Sequence, residues 1–273
     1  NGSSGYGILL ASSSNDNTLT NNTLSTNGSS GYGMYLSLSS NDNTITDNDI
    51  STNGNFGYGI YLTSSSNNNT LTNNNITSEN SDIIYDSTGE DYNNTLIYNN
   101  SYGEVKWFDK TDLSINESGT IGLGTAINIS NNLIVVDSAS YNDNDGSGLN
   151  QSANLSFFGV SITGFATAFR NDVDCGNICG DITNVSDTYY FNVSQFTNYS
   201  VGDIVDCGDT INSSTTLIRN MTCSGTGIII GANDIELDCD GYTINYSTSG
   251  DLGYGVNNTG GYDNVTIQNC NVV

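Results

Sequence analysis

The chain of 273 residues carries 29 acidic residues against four basic ones, a formal net charge of −25, and contains neither His nor Pro. Without His there is no imidazole metal site, no Ser-His-Asp triad and no His general base, and four cations are too few to bind nucleic acid or anionic lipid. No apolar run approaches the ~18 residues of a membrane helix, and an apolar content of 35% with 10% aromatic residues favours a polar β-rich fold over a disordered chain.

A repeat of 26 residues fills the first part of the chain. Its first three copies are NGSSGYGILLASSSNDNTLTNNTLST, NGSSGYGMYLSLSSNDNTITDNDIST and NGNFGYGIYLTSSSNNNTLTNNNITS, over residues 1–26, 27–52 and 53–78. A fourth, decayed copy follows, in which NNTLIYNNS at 93–101 matches the second half of the repeat. A period of this length indicates stacked repeats rather than a globular core.

Apolar residues recur at the same phase of every copy. Four rows are visible: Ile8, Met34 and Ile60; Leu10, Leu36 and Leu62; Leu19, Ile45 and Leu71; and Leu24, Ile50 and Ile76. The first two rows lie two residues apart, which is the alternation of a β-strand. Each copy is therefore predicted to carry at least two short strands joined by Gly, Asn and Ser turns.

A row of asparagines lies between the last two apolar rows, at Asn22, Asn48 and Asn74. Asparagines at one phase of consecutive coils can point inward and hydrogen-bond the coils above and below, which satisfies buried amides without water. We predict such an inward Asn ladder. Ordinary solvent-exposed turn asparagines are the alternative.

The repeat also resembles a known family. GYGIYLTSSSNNNTLTNNNI (57–76) is similar to the right-handed parallel β-helix repeats of secreted polysaccharide lyases, and more similar to those of periplasmic copper-maturation β-helix proteins and of large archaeal surface proteins. The resemblance implies an all-β fold, with a right-handed parallel β-helix, or solenoid, over residues 1–103. It is specific for fold and says little about function.

The C-terminal stretch resembles the same fold. Residues 207–244 are similar to the entry segment with which such helices begin, and GYGVNNTGGYDNVTIQNCNVV (253–273) is similar to a further coil, so a third domain is predicted over 207–273. In that coil Val256, Ile267 and Val272 match Ile8, Leu19 and Leu24. The chain therefore ends close to the phase at which residue 1 of a next copy would begin, although a chance match or an arbitrary boundary would look the same.

The middle segment, 104–206, lacks the 26-residue period. EVKWFDKTDLSI, AINISNNLIVV, ANLSFFGVSI and YYFNVSQFTNYSV are predicted as separate strands, with an Asp/Asn/Gly loop at 142–148. Their irregular spacing predicts a small β-sandwich inserted in or appended to the solenoid. FNVSQFTNYS, with the preceding DCGNICG, resembles a module that follows β-helices in archaeal surface proteins.

Six cysteines in an Asn-rich, Lys-poor chain predict disulfides and an extracellular location. Of the 15 possible pairings, one set is favoured. It comprises Cys175–Cys179 in a Gly-rich turn, Cys207–Cys223 around the first coil of the entry segment, and Cys239–Cys270 at nearly the same phase of successive coils. Free thiols or a metal site are the alternative.

Few residues carry other chemistry. Sequons are more frequent than composition alone predicts, and those in the predicted sandwich are the favoured N-glycosylation sites: Asn116, Asn150, Asn184, Asn192 and Asn198. Asp143, Asn144 and Asp145 form a Ca²⁺ candidate, and ordinary turn chemistry is the alternative. Diffuse binding of divalent cations is also expected. No cofactor and no catalytic residue are predicted.

These features together predict a non-enzymatic structural subunit of a glycosylated, archaeal-like extracellular or cell-surface filament. Its partners are expected to be copies of itself stacked end to end, as a homopolymer or a tandem array, and N-linked glycans, without nucleic acid or membrane insertion. A monomeric surface adhesin or carbohydrate-binding stalk is the second hypothesis, with sugars stacked on Tyr6, Tyr32, Tyr58, Tyr35 and Tyr61. A polysaccharide-active β-helix enzyme using Asp238 and Asp240 is the third.

Overall fold

The computed structural model describes residues 3–87, 93–108, 113–141, 148–162, 165–171, 173–217 and 219–273. The chain divides into two compact units: Asn1–Val160 with Arg170–Val201, and Ser161–Phe169 with Gly202–Val273. Within the described residues, every regular element is a β-strand except one short 3-10 turn at Gly176–Ile178. No helix among them is long and apolar enough to span a membrane. The all-β prediction is confirmed.

Each of the first three repeats folds into one coil of three short strands. These are β1 (Ile8–Leu10), β2 (Thr18–Thr20), β3 (Thr23–Thr26), β4 (Met34–Leu36), β5 (Thr44–Thr46), β6 (Asp49–Thr52), β7 (Ile60–Thr63), β8 (Thr70–Thr72) and β9 (Asn75–Ser78). Equivalent strands pair in parallel, one repeat apart. The decayed fourth repeat adds β10 (Ile84–Ser87) and β11 (Thr95–Asn100) to two of the three sheets. The repeats therefore form a parallel β-solenoid, as predicted.

The apolar rows fill the interior of this solenoid. In the second and third coils the eight row residues are 0% exposed: Met34, Leu36, Ile45, Ile50, Ile60, Leu62, Leu71 and Ile76. The turn before each first strand must approach this core closely. A Cβ on Gly33 would overlap Ile50 Cγ2 and come within 2.5 Å of the Gly59 carbonyl oxygen. Only glycine fits there without moving the backbone.

Replacing Gly33 by alanine is therefore expected to lower the free energy of unfolding by about 2–3 kcal/mol through overpacking. The measurement is urea denaturation followed by circular dichroism. The matched control is Gly225→Ala, because a Cβ at that position meets no atom within 4 Å. Equal effects of the two substitutions would contradict the close approach seen at Gly33.

One sheet of the solenoid continues into the middle segment. Its strands are β12 (Gly103–Phe108), β13 (Gly119–Ile121), β14 (Ile127–Ser130), β15 (Leu133–Val136), β16 (Ala153–Phe158), β17 (Phe165–Arg170), β18 (Val173–Asp174), β19 (Thr183–Val185), β20 (Thr188–Val193) and β21 (Asn198–Ile204). The sheet of β2, β5, β8 and β11 continues through β12, β16, β20 and β19, eight strands in all. A separate sandwich is therefore not confirmed.

A tight reversal after β11 explains this arrangement. Tyr102 N–H donates to Asn100 Oδ1 at 2.8 Å, and Gly103 then pairs with Asn100. The chain thus folds back on β11, and β12, β16, β20 and β19 follow in antiparallel pairs. In the same unit β13 pairs antiparallel with β9, and the β14–β15 hairpin pairs with β21.

The second unit contains three further coils. Their strands are β22 (Asp209–Ile211), β23 (Thr215–Thr216), β24 (Met221–Thr222), β25 (Ile228–Ile230), β26 (Glu236–Asp238), β27 (Thr243–Asn245), β28 (Val256–Asn257), β29 (Thr266–Gln268) and β30 (Asn271–Val272). They form three parallel three-stranded sheets around a core that includes Ile228, Leu237 and Ile244.

All six cysteines are paired, as Cys175–Cys179, Cys207–Cys223 and Cys239–Cys270. These are the three pairs favoured from the spacing, and their Cα–Cα distances are 5.6, 5.3 and 4.8 Å. The last pair joins two consecutive coils, from a residue just after β26 to one just before β30, and its Cα–Cα distance is close to the spacing of neighbouring strands.

Candidate functional site: the edges of the end coils

An internal column of asparagines connects the coils of the first unit. Asn22 donates its backbone N–H and its Nδ2 to Asn48 Oδ1, at 3.0 and 2.9 Å. Asn48 bonds Asn74 Oδ1 in the same way, at 3.1 and 2.9 Å. Asn48 and Asn74 are buried. The structure therefore places the predicted ladder inside the coil, where it satisfies polar groups that water cannot reach.

A second column was missed by sequence reasoning. Asn17 donates its N–H and Nδ2 to Asn43 Oδ1, both at 2.9 Å, and Asn43 repeats this pattern with Asn69. Asn94 continues the column in the fourth coil. The signal was present in the sequence, because NDNT and NNNT keep an asparagine at this phase of every copy.

The hydrogen bonds between asparagines have the same direction in both columns. As a result, the Oδ1 atoms of the first coil are left as acceptors. In both columns each Oδ1 accepts from the asparagine of the preceding coil, through that residue's backbone N–H and Nδ2. Asn17 and Asn22 therefore donate forward, while their own Oδ1 atoms accept no hydrogen bond from the described part of the chain. A preceding coil would supply the missing donors.

The strands of the first coil are also open on that side. β1, β2 and β3 each lie at the edge of their sheet. Ile8 N–H donates to the Gly33 carbonyl at 3.0 Å. Because alternate residues of a parallel strand bond opposite neighbours, the N–H and C=O of Leu9 face away from the second coil. These backbone groups of the first coil therefore have no partner among the described residues.

The terminal coil is open on the side that faces away from the coil preceding it. β28, β29 and β30 are edge strands, and Ile228 N–H donates to the Gly255 carbonyl at 3.0 Å, so Val256 N–H and C=O face outward. Ile267 and Val272 are 47% and 44% exposed, whereas the equivalent residues of the preceding coil, Leu237 and Ile244, are 0% exposed. The interior rows are uncovered at this end.

The two open coils have the same spacing. Val256, Ile267 and Val272 follow one another at the same intervals as Ile8, Leu19 and Leu24, and all six lie on or beside the corresponding strands. The turn before the first strand is Gly-Tyr-Gly in both, at 5–7 and at 253–255. The open edge of the terminal coil therefore matches the open edge of the first coil, residue by residue.

Two columns of tyrosine rings run along the outside of the first unit. Neighbouring rings are stacked with centroids 5.3 Å apart for Tyr6–Tyr32 and Tyr32–Tyr58, and 5.1 Å apart for Tyr35–Tyr61. Burial, followed by the nearby Tyr61, raises the pKa of Tyr32. Burial, followed by Asp82, raises the pKa of Tyr58. The ring faces are largely covered by one another, which leaves mainly their edges to solvent.

The predicted glycosylation sites differ in accessibility. Asn184, Asn192 and Asn198 are exposed. Asn116 and Asn150 are half-buried, and Asn150 Oδ1 already accepts from Phe196 N–H at 2.7 Å. A glycan is joined to the amide nitrogen and needs open space around it, so the three exposed sites are the more accessible acceptors.

Asp238, one of the two carboxylates considered for catalysis, accepts hydrogen bonds from neighbouring backbone and amide groups. Asp238 Oδ1 accepts from Asp240 N–H at 2.9 Å and from Asn269 Nδ2 at 3.0 Å. Asp238 Oδ2 accepts from Gln268 Nε2 at 3.1 Å. The Asp240 N–H, then the Asn269 amide, lower the pKa of Asp238. These bonds hold a charged carboxylate between two coils.

Residues 1–116 match the family model described as periplasmic copper-binding protein (NosD). The repeats are NosD-like. The match and the solenoid together confirm the resemblance of the repeat region to the periplasmic β-helix proteins. Searches of curated proteins and of solved structures found no match.

The chain does not carry ligands that fit copper. Copper sites use imidazole, thiolate or thioether groups. The sequence has no His, all six Cys form disulfides, and Met34 and Met221 are buried in the cores, at 0% and 3% exposure. No group of three or more His, Cys, Asp or Glu among the described residues could hold a metal. The Ca²⁺ candidate Asp143, Asn144 and Asp145 lies outside the described residues.

Proposed function

We propose that this chain is a structural subunit of a glycosylated extracellular filament, in which the terminal coil of one copy stacks on the first coil of the next. The observation that carries the proposal is the match between the two open edges. Unpaired strand edges next to an uncovered apolar interior are templates for further pairing. A head-to-tail contact that does not close on itself produces a filament.

The surface of the chain suits this role. The described coils present mostly Asn, Ser and Thr to solvent, and the whole chain has four cations, so nonspecific association is weak. The exposed sequons at Asn184, Asn192 and Asn198 would carry glycans on the sides of the filament. Three disulfides fit an oxidising compartment outside the cytosol. Because each copy carries a net charge of −25, assembly should be favoured by salt.

The test compares the full-length chain with two substitutions at Leu9. Leu9→Pro removes an N–H that bonds nothing within the described chain, and proline is tolerated on an edge strand. Leu9→Lys alters the same exposed side chain but keeps the N–H. Negative-stain electron microscopy and sedimentation should show fibres for the wild type and for Leu9→Lys, and monomers for Leu9→Pro.

Isolated wild-type particles of 28.9 kDa at high concentration would overturn the filament proposal. Fibres formed equally by Leu9→Pro would show that this edge is not the contact. A denaturing gel of native fibres separates the two forms of assembly, since separate chains run at the subunit mass and a tandem array runs far above it.

The second candidate is a monomeric adhesin. The exposed tyrosine columns favour it, because aromatic surfaces bind sugars. Their rings stack on one another at 5.1–5.3 Å, however, so few ring faces remain for a sugar. Saturable glycan binding by a monomer, lost on Tyr32→Ala, would support the adhesin. A third candidate, a polysaccharide-active enzyme, would require activity that Asp238→Asn abolishes.

A further inference from the structure

We infer that the junction between copies has one register, in which Val256, Ile267 and Val272 of one copy pair beside Ile8, Leu19 and Leu24 of the next. This inference rests on the proposed stacking and specifies its partner surface as residues 5–26 of a second copy. In this register the Leu9 N–H donates to the Val256 carbonyl, and the Val256 N–H donates to the Gly7 carbonyl. These bonds repeat the pattern of Ile8 with Gly33 and of Ile228 with Gly255.

The asparagine columns are completed only in this register. Val265 and Cys270 occupy the ladder positions of the terminal coil, and their backbone N–H groups have no acceptor within the described residues. In the interior, the N–H groups at these positions donate to the Oδ1 of the following coil at 2.9 and 3.0 Å. At the junction the acceptors are the free Oδ1 atoms of Asn17 and Asn22. Two backbone donors and two side-chain acceptors are satisfied together.

The outer positions place carboxylates opposite amides. Asn41 N–H donates to Asn15 Oδ1 at 2.8 Å, and Asp263 N–H donates to Asn233 Oδ1 at 2.8 Å. Continued across the junction, this pattern brings the Asn15 N–H to the Asp263 carboxylate and the Asn264 amide opposite Asp16. A slip of one residue would oppose Asp263 and Asp16, and like charges directly opposite are destabilising.

The same one-residue slip would turn the apolar rows outward, because side chains alternate between the two faces of a strand. Polar and apolar contacts therefore select one register together.

An aromatic contact reinforces this register. Tyr254 is 48% exposed and Tyr6 is 42% exposed. Tyr254 has no stacked ring among the described residues, and Tyr6 begins the column whose centroids are 5.3 Å apart. In the inferred register Tyr254 lies directly beyond Tyr6 and extends the column by one ring. Offset-stacked rings stabilise such a contact beyond their buried area.

Disulfide cross-linking can show which residues are paired at the junction. Cys239 and Cys270 show that residues of consecutive coils with a Cα–Cα distance of 4.8 Å form a disulfide. Aligned residues of neighbouring strands are also about 4.8 Å apart, within the range that a disulfide accepts. Thr18 and Thr266 form the aligned, exposed pair at the junction. Thr20 and Thr266 are equally exposed but two residues out of register. The chain has no free cysteine that could cross-link in the background.

The experiment compares the full chains with Thr18→Cys and Thr266→Cys against those with Thr20→Cys and Thr266→Cys. Oxidised glutathione takes up the electrons: two thiols become one disulfide, and glutathione disulfide becomes two glutathione molecules. On a non-reducing gel the aligned pair should give at least tenfold more cross-linked multimer, at equal fibre yield by microscopy.

The outcomes separate the two claims. Fibres in which both pairs cross-link equally, or in which the Thr20 pair cross-links better, overturn the register and leave the filament intact. A wild-type chain without fibres overturns the stacking proposal itself, and the register falls with it.

Discussion

Replacing Asn48 by alanine is expected to lower the free energy of unfolding of the first unit by about 3–5 kcal/mol. The buried side chain accepts two bonds from Asn22 and donates to the Leu19 carbonyl and to Asn74 Oδ1. Each buried partner left unsatisfied costs about 1–3 kcal/mol, and alanine leaves a void in addition. Urea denaturation followed by circular dichroism measures the change.

The matched control is Asn80→Ala. Asn80 is exposed and donates to Asn53 Oδ1 at 2.7 Å, an amide contact between neighbouring coils like that of Asn48 but open to water. Its loss should change the stability by less than about 0.5 kcal/mol. If both substitutions cost the same, burial of the ladder would not be what makes it stabilising.

The second large effect is expected from removing the Cys239–Cys270 disulfide with serine at both positions. The loop closed by this bond has a sequence separation of 31, so its loss should destabilise the second unit by about 4 kcal/mol in the chain-entropy estimate. The terminal coil has only short strands and exposed row residues to hold it otherwise. Hydrogen exchange over 253–273 should accelerate, and fibre formation should be lost.

The control for this experiment is the pair Cys175→Ser and Cys179→Ser. That disulfide closes a separation of four residues, for which the same estimate gives about 2 kcal/mol, and neither of its cysteines belongs to the first coil or to the terminal coil. Fibres should persist. If both double variants lost their fibres, the cause would be general destabilisation of the chain, and the requirement for an ordered terminal coil would be contradicted.

The candidate site could be located in part from the sequence. The match of Val256, Ile267 and Val272 to the rows of the first coil is a matter of phase, and the structure has strands at those places. The direction of the hydrogen bonds at the junction could not be predicted from the sequence. It depends on which Oδ1 accepts and which N–H donates, and those directions appear only when the coils are stacked.

Other features depended on packing between distant segments. The sequence suggested that Asn150 and Asn184 were equivalent glycan acceptors, but Asn150 is tied to Phe196 and Asn184 is exposed. Asp238 and Asp240 looked like a carboxylate pair, but Asp238 accepts amide donors from the next coil. Neither distinction follows from a residue and its immediate neighbours.

The solenoid and its apolar rows could be predicted from the sequence, and Cys239–Cys270 was among the favoured disulfides. In a repeat, the same contact recurs in every copy. When the copies stack, residues at equal positions of successive copies come into contact, so the period in the sequence directly predicts contacts between residues far apart in the chain. The tertiary structure alone decided the course of residues 104–206. Pairings such as Leu96 with Trp107 and Val105 with Leu155 occur once. No other repeat of the sequence shows these pairings. The free energy of a single strand pair between distant segments depends on the surface that β11 has already formed.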